Sequence, residues 1–245
     1  MSLVEVVLIA AGTAAATGLG AVPLLFYREG MKRSTVAIAS AVAAGSMTGA
    51  SVGLLYEGAR VSGVRTAVGV VLGAAFVLFS NRFFGGHEDL HIGVLKGAGA
   101  RRAILIIAIM TVHSITEGVG VGVSFADGEK IGLVIAIAIA IHNIPEGLAI
   151  SLTLVPNGYS VTTAALWSVA SSLPQPIMAI PAFLGVRVVT SLLPVGMGFA
   201  GGAMLWLALG YMLPQSLHET RPLGAVGGFL SGAVVMIVLA VLIGF

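Results

Sequence analysis

Residues 135–152 read IAIAIAIHNIPEGLAISL, an apolar helix sequence that is interrupted near its centre by polar and helix-breaking residues. The apolar runs on either side are continuous rather than alternating with polar residues, which favours a helix in lipid over a half-buried strand. The interruption places His142, Asn143, Pro145 and Glu146 in a segment that otherwise suits the hydrocarbon core. Ionisable residues in such segments are costly and by default indicate a functional site.

The composition of the whole chain is that of a membrane protein. Of its 245 residues, 58% are hydrophobic and only 9% are charged, whereas soluble domains carry about 25% charged residues. The net charge of +2 is too small to suggest a nucleic-acid partner, and the absence of Cys excludes thiolate metal ligands. The sequence therefore predicts an all-α integral membrane protein whose partner is the lipid bilayer. Five long runs lack Asp, Glu, Lys and Arg: Val6–Tyr27, Ser34–Tyr56, Gly147–Val186, Val188–Leu217 and Pro222–Phe245.

Breaks at charged residues and at Gly/Pro clusters predict about eight helices within one polytopic domain, residues 1–245. Eight of the Lys and Arg residues fall in loops on one side of the predicted membrane and four on the other. Because basic loops favour the cytoplasm, both termini are predicted to be extracytoplasmic. The predicted helices are 4–27, 36–58, 63–82, 103–124, 131–154, 160–184, 189–214 and 223–244.

The helix predicted over 103–124 contains a second polar motif. HSITEG at 113–118 and HNIPEG at 142–147 share the pattern H-x-x-x-E-G. Residues i and i+4 of a helix lie on one face, so each helix presents one imidazole beside one carboxylate. A short connection makes the two helices antiparallel neighbours. We therefore expect four side chains to converge at one depth in the membrane: His113, Glu117, His142 and Glu146.

Imidazole and carboxylate together suit Zn²⁺ and its first-row neighbours, whereas Ca²⁺ and Mg²⁺ prefer oxygen ligands alone. An ionised carboxylate at mid-bilayer costs on the order of 2.5–3.5 kcal/mol, which a bound cation offsets. Pro145 cannot donate to the carbonyl of Ile141 and is expected to open that turn beside Glu146. The interpretation is a divalent ion in transit, and ligand type separates Zn²⁺ poorly from Fe²⁺, Mn²⁺ or Cd²⁺.

HSITEGVGVG followed by HNIPEGLAIS resembles the ZIP family of divalent metal transporters, above all its GufA-like bacterial branch. LPVGMGFAGGAMLWLALGYMLP, residues 193–214, also resembles the seventh helix of that branch. The resemblance implies a ZIP-like bundle, a homodimer in the bacterial plasma membrane, metal uptake toward the cytosol and no enzymatic activity or prosthetic group. It also implies movement of helices 1, 4, 5 and 6 against helices 2, 3, 7 and 8, with the two His and two Glu as primary metal ligands.

Many relatives build a second metal site beside the first. It is bridged by the two Glu and completed by a polar residue after each His and by a Glu on the sixth helix. The resemblance places Ser114 and Asn143 at the two positions after the His residues, and Gln175 at the position of the Glu. Since Gln175 lacks the carboxylate, the sequence favours one primary site with a weaker polar neighbour.

Two alternatives stay open at this point. The stretch His87-Glu88-Asp89-Leu90-His91 matches the H-E-x-x-H pattern of zinc hydrolases, which would make the protein an intramembrane metalloprotease. That chemistry needs a rigid helix, a third ligand and an open position for water, and the stretch lies instead in a predicted short loop. The second alternative is a proton-coupled carrier of another solute that uses the four membrane residues as a relay.

Overall fold

The computed structural model describes residues 1–26, 32–85, 91–92 and 95–243. These residues are almost entirely helical, which confirms the all-α prediction, and two two-residue strands, β1 (His91–Ile92) and β2 (Leu95–Lys96), pair antiparallel. Within the described ranges, six segments are long and apolar enough to cross a membrane. The α-helices are α1 Leu3–Ala16, α2 Arg33–Gly85, α3 Gly97–Asp127, α4 Glu129–Leu154, α5 Val161–Ser171, α6 Pro174–Leu184, α7 Val186–Leu207, α8 Leu213–Glu219 and α9 Pro222–Ile243.

The spans predicted over 36–58 and 63–82 both lie within α2. Its backbone leaves the helical conformation at Ser62, where φ is −161° and ψ is 101°. Gly58 nevertheless lies against Thr66, a pair that would be about 12 Å apart along a straight helix. The helix therefore bends back sharply at Ser62. Because the helix is interrupted only at Ser62, residues Arg33–Phe79 are counted as one long apolar segment. The number of eight spans therefore stays a prediction.

The helix predicted over 160–184 is broken into α5 and α6. Pro174 and Pro176 stand at the break, and proline lacks the N–H that a continuous helix needs and restricts the residue before it. Each piece has 11 residues, fewer than the roughly 20 of a spanning helix. The break puts Gln175 in the first turn of α6.

Two further predicted spans change their helix type. The first span consists of α1 followed by a 3-10 helix, Thr17–Phe26, which contains Pro23. The seventh consists of α7, a π-helical turn at Ala208–Met212 and α8. By contrast, α4 is a continuous α-helix through Pro145, and the expected opening of that turn stays a prediction.

Glycines allow the helices to approach closely. Gly69 and Gly73 of α2 lie against the backbone of α7 at Val195 and Phe199, and Gly198 lies against α2 in return. A Cβ at any of these glycines would overlap backbone atoms. Small residues permit this kind of close packing between helices in lipid, so these glycines set the distance between α2 and α7.

The helices form two sets. One set is α2 with α7, α8 and α9, and the other is α3 and α4 with α1, the 3-10 helix, α5 and α6. The sets meet where α3 contacts α7 and where α4 contacts α2. The two helices that carry the polar motifs therefore belong to one set and border the other.

Candidate metal site

The two polar motifs lie on neighbouring helices that are joined by a single residue. Between Asp127 and Glu129, Gly128 has φ 149°, a conformation that glycine alone adopts readily. Gly132 lies so close to the ring of Phe125 that a Cβ would overlap it. The tight connection holds α3 and α4 side by side, as the sequence predicted.

Four contacts join the imidazoles to the carboxylates. His113 Nε2 lies 3.5 Å from Glu117 Oε1 and 3.1 Å from Glu146 Oε1. His142 Nδ1 lies 3.3 Å from Glu117 Oε1, and His142 Nε2 lies 3.5 Å from Glu146 Oε1. One ligand atom from each residue can be chosen so that all lie within 4.8 Å of one another, and the group could hold a metal ion.

All four side chains are buried, and their exposed fractions range from 0% for Glu146 to 7% for His142. Buried polar groups nearly always have hydrogen-bond partners. Within the part of the chain that the structure describes, however, both oxygens of Glu146, Oε1 of Glu117 and both nitrogens of His113 have none. The contacts between these residues lack hydrogen-bond geometry, so the carboxylate oxygens and the unprotonated nitrogen of a neutral His113 remain available to a cation.

The three residues predicted to flank the site are also buried. Ser114, Asn143 and Gln175 each have an exposed fraction of 0%. Gln175 Nε2 donates a hydrogen bond of 2.5 Å to Glu117 Oε2. Ser114 Oγ and Asn143 Oδ1 have no hydrogen-bond partner among the described residues. The structure thus brings Gln175 into contact with the His/Glu group, while Ser114 and Asn143 flank it along the chain.

Thr13 of α1 contacts these flanking residues, although nothing in its sequence context indicated this. Asn143 Nδ2 donates to the carbonyl oxygen of Thr13 at 2.7 Å, and Thr13 Oγ1 lies 3.3 Å from Gln175 Oε1. A second contact joins Thr17, the first residue of the 3-10 helix, to Ser172, the residue that follows α5, with 2.8 Å between their hydroxyl oxygens. A threonine in an apolar run carries no periodic or motif signal, so sequence reasoning had no means of finding these contacts.

Close backbone packing locates each carboxylate. Gly147 follows Glu146 directly, and a Cβ on Gly147 would overlap the carbonyl oxygen of Thr17. Gly118 follows Glu117 directly, and a Cβ there would overlap the backbone of Gln175. Both motifs therefore end in Glu-Gly because a neighbouring helix passes one residue away from each carboxylate.

The H-E-x-x-H stretch lies largely outside the described residues. Of its five members, the structure describes only the backbone of His91, in β1.

Met47 is fully buried in the apolar core, which agrees with a packing role. A small apolar groove of about 80 Å³ between α2, α4 and α9 reaches the site at His142.

Comparison with known proteins identifies relatives along nearly the whole chain. The chain is 42% identical over 225 residues to an Arabidopsis thaliana protein described as "Putative zinc transporter", covering 91% of this chain and 36% of that protein. It is 33% identical over 247 residues to the zinc transporter GufA of Myxococcus xanthus, covering 96% of both proteins. The zinc transporter ZIP11 of Xenopus tropicalis is 35% identical over 136 residues, 53% of this chain and 40% of that protein. The chain thus spans about a third of the Arabidopsis relative and almost all of the Myxococcus one.

The model of the family "ZIP Zinc transporter" matches residues 85–240, a range that contains both polar motifs and Gln175. The match covers more than half of the chain, and the Myxococcus relative aligns over nearly its full length. The members of this family are transporters rather than enzymes, which argues against the protease alternative. By these likenesses, and in agreement with its helical fold and buried His/Glu group, the chain belongs to the ZIP family of zinc transporters.

Proposed function

We propose that this protein carries a divalent metal ion, Zn²⁺ in the first place, across a membrane, and that the ion pauses between α3 and α4. In this proposal His113 and His142 supply nitrogen ligands, and Glu117 and Glu146 supply oxygen ligands and neutralise the ion. Ser114, Asn143 and Gln175 give polar support around them. The zinc transporters among the relatives support the choice of substrate.

The observation that carries the proposal is the spacing of the imidazole nitrogens and carboxylate oxygens. Zn²⁺ binds such ligands at about 2.0–2.2 Å in tetrahedral sites, so neighbouring ligand atoms lie about 3.4 Å apart. The four contacts measured here are 3.1–3.5 Å. Because these contacts use both nitrogens of His142, they are not the edges of a single tetrahedron, but one ligand atom from each residue can be chosen so that all four lie within 4.8 Å of one another. The four side chains are thus close enough to share one ion, and Glu117 Oε1 and both oxygens of Glu146 have no hydrogen-bond donor in the described structure.

The charges also fit a doubly charged ion. Two carboxylates balance the charge of one M²⁺, so the loaded site is neutral in an environment where an isolated charge costs on the order of 2.5–3.5 kcal/mol. The apolar groove that reaches His142 offers a hydrated ion few partners. In this proposal the ion passes when the two helix sets move relative to each other, which is the motion that the family resemblance implies.

The remaining features of the proposal derive from the loop charges and the family resemblance. The protein works as a homodimer in a bacterial plasma membrane, with both termini outside, and moves the ion toward the cytosol. Fe²⁺, Mn²⁺ and Cd²⁺ are further substrates by ligand chemistry, since N/O ligand sets separate these ions poorly. A proton-coupled carrier of another solute is the weaker alternative, because a proton relay does not require two imidazoles and two carboxylates gathered around one point.

The test is uptake of radiolabelled zinc into proteoliposomes that contain the purified full chain. We expect His142→Ala and Glu146→Ala to abolish uptake, since each removes one proposed ligand. His218→Ala is the matched control for a histidine, because His218 lies exposed on α8 away from the site. His87→Ala should also keep most of the uptake. Normal zinc uptake by both α4 variants would rule out this site.

A further inference from the structure

We infer that Gln175 is a positioning residue that makes the two glutamates unequal ligands: Glu117 binds the ion through one oxygen only, whereas Glu146 offers both. The inference rests on the proposed metal site and specifies how that site holds its ion. It starts from the hydrogen bond of 2.5 Å between Gln175 Nε2 and Glu117 Oε2. Both residues are buried, with exposed fractions of 0% and 5%.

The surrounding contacts fix which end of the Gln175 amide faces the carboxylate. Gln175 Oε1 accepts from Asn143 Nδ2 at 3.2 Å and lies 3.3 Å from Thr13 Oγ1. Rotating the amide by half a turn would bring its oxygen against Glu117 Oε2 and its NH₂ group against that of Asn143. Both contacts would be repulsive, so the N–H donor faces Glu117.

Three other helices hold the amide in that orientation. Asn143 of α4 uses its second N–H to donate to the Thr13 carbonyl oxygen at 2.7 Å, which ties it to α1. Gly118 of α3 lets the backbone of Gln175 come close enough for its side chain to reach Glu117. The donor is therefore preorganised by α1, α3 and α4 rather than by α6 alone.

The hydrogen bond gives the two oxygens of the Glu117 carboxylate different roles. Oε2 is occupied by the amide, and Oε1 is left facing the two histidines at 3.3 and 3.5 Å. Hydrogen bonds to ionised acceptors are about twice as strong as neutral ones, so the ion does not readily displace this donor. Glu146 differs, because neither of its oxygens accepts a hydrogen bond within the described ranges.

The same geometry removes the Gln175 amide as a ligand for a second ion beside Glu117. An amide N–H has no lone pair to offer to a cation, and the lone pairs of Gln175 Oε1 already face Asn143 and Thr13. A second ion beside Glu117 Oε2 would meet a donor instead of a ligand. Outer hydrogen bonds of this kind typically change metal affinity by about 10–100-fold when removed.

The experiment uses Co²⁺ as a spectroscopic probe with the purified full chain in detergent. Four- and five-coordinate Co²⁺ absorbs more strongly in the visible region than six-coordinate Co²⁺, and the chain has no Cys to add thiolate bands. We expect the native protein to bind one Co²⁺ per chain. Gln175→Ala should bind Co²⁺ about 10–100-fold more weakly, and so should Gln175→Met, whose side chain is similar in length to glutamine. Both variants should also show a changed visible spectrum, because Glu117 is then free to rotate or to bind through both oxygens.

Gln215→Ala is the matched control. Gln215 Nε2 donates to Glu219 Oε1 at 2.5 Å on the exposed side of α8, so this variant removes the same type of contact away from the site. It should leave the Co²⁺ affinity and spectrum unchanged.

The possible results separate the inference from the function on which it rests. Failure of the native protein to bind Co²⁺ or Zn²⁺ would refute the proposed metal site itself. Native binding with unchanged affinity and spectrum in a folded Gln175 variant would refute only the positioning role.

Discussion

Replacing Glu146 by Gln tests the charge balance on which the proposed site depends. The variant keeps the shape of the side chain and removes one negative charge from a position with an exposed fraction of 0%. With both carboxylates present, a bound M²⁺ is neutralised, whereas in the variant a net positive charge stays buried between α3 and α4. That charge costs on the order of 2.5–3.5 kcal/mol, so the dissociation constant for Zn²⁺ should rise roughly 10²-fold.

The sign of the stability effect is a second part of the same prediction. Without metal, the variant has one fewer buried carboxylate that lacks hydrogen-bond donors, so it should be at least as stable as the native protein. Added Zn²⁺ should raise the unfolding temperature of the native protein, because a ligand that binds only the folded state stabilises it. The variant should show little of this increase at the same Zn²⁺ concentration.

The measurements are calorimetric titration with Zn²⁺ and thermal unfolding in detergent with and without the ion. Glu219→Gln is the control, since it makes the same chemical change at an exposed residue on α8. If Glu146→Gln binds Zn²⁺ within about threefold of the native affinity, the carboxylate does not neutralise the ion and the argument from charge fails.

Two further predictions concern the glycines at helix contacts. Gly69→Ala places a Cβ against the backbone of α7 and should destabilise the protein by about 1–3 kcal/mol, which thermal unfolding would measure. Gly227→Ala is the control, because a Cβ there would meet nothing within 4 Å. Equal unfolding temperatures for the two variants would contradict the close packing. Gly147→Ala should push the backbone at Thr17 away from α4 beside Glu146 and weaken Zn²⁺ binding. Gly12→Ala on α1 has open space around the added Cβ and should leave the Zn²⁺ affinity unchanged. An unaltered Zn²⁺ affinity in Gly147→Ala would show that this contact does not locate the carboxylate.

The break positions show what the sequence predicted only in part. Apolar runs indicated where long helices are to be expected, because the apolar residues needed for a span are a property of the local chain. The break predicted between 58 and 63 contains Ser62, where α2 bends, whereas the division of 160–184 into α5 and α6 was missed, although Pro174 and Pro176 were visible. Whether a proline or a short connection kinks, breaks or leaves a helix continuous depends on what packs against it, as the continuous α4 at Pro145 illustrates.

The sequence by itself determined the membrane class and the pairing of His with Glu, because both follow from composition and from the spacing i and i+4 on one helix. It also identified the four candidate ligands, since the short connection through Gly128 leaves α3 and α4 no other arrangement than side by side. Tertiary structure alone decided that Gln175 donates to Glu117 and that Thr13 accepts from Asn143, residues that are 58 and 130 positions apart. Contacts between distant segments depend on how the helices pack, and a buried amide or threonine leaves no periodic pattern in the chain from which that packing could be read.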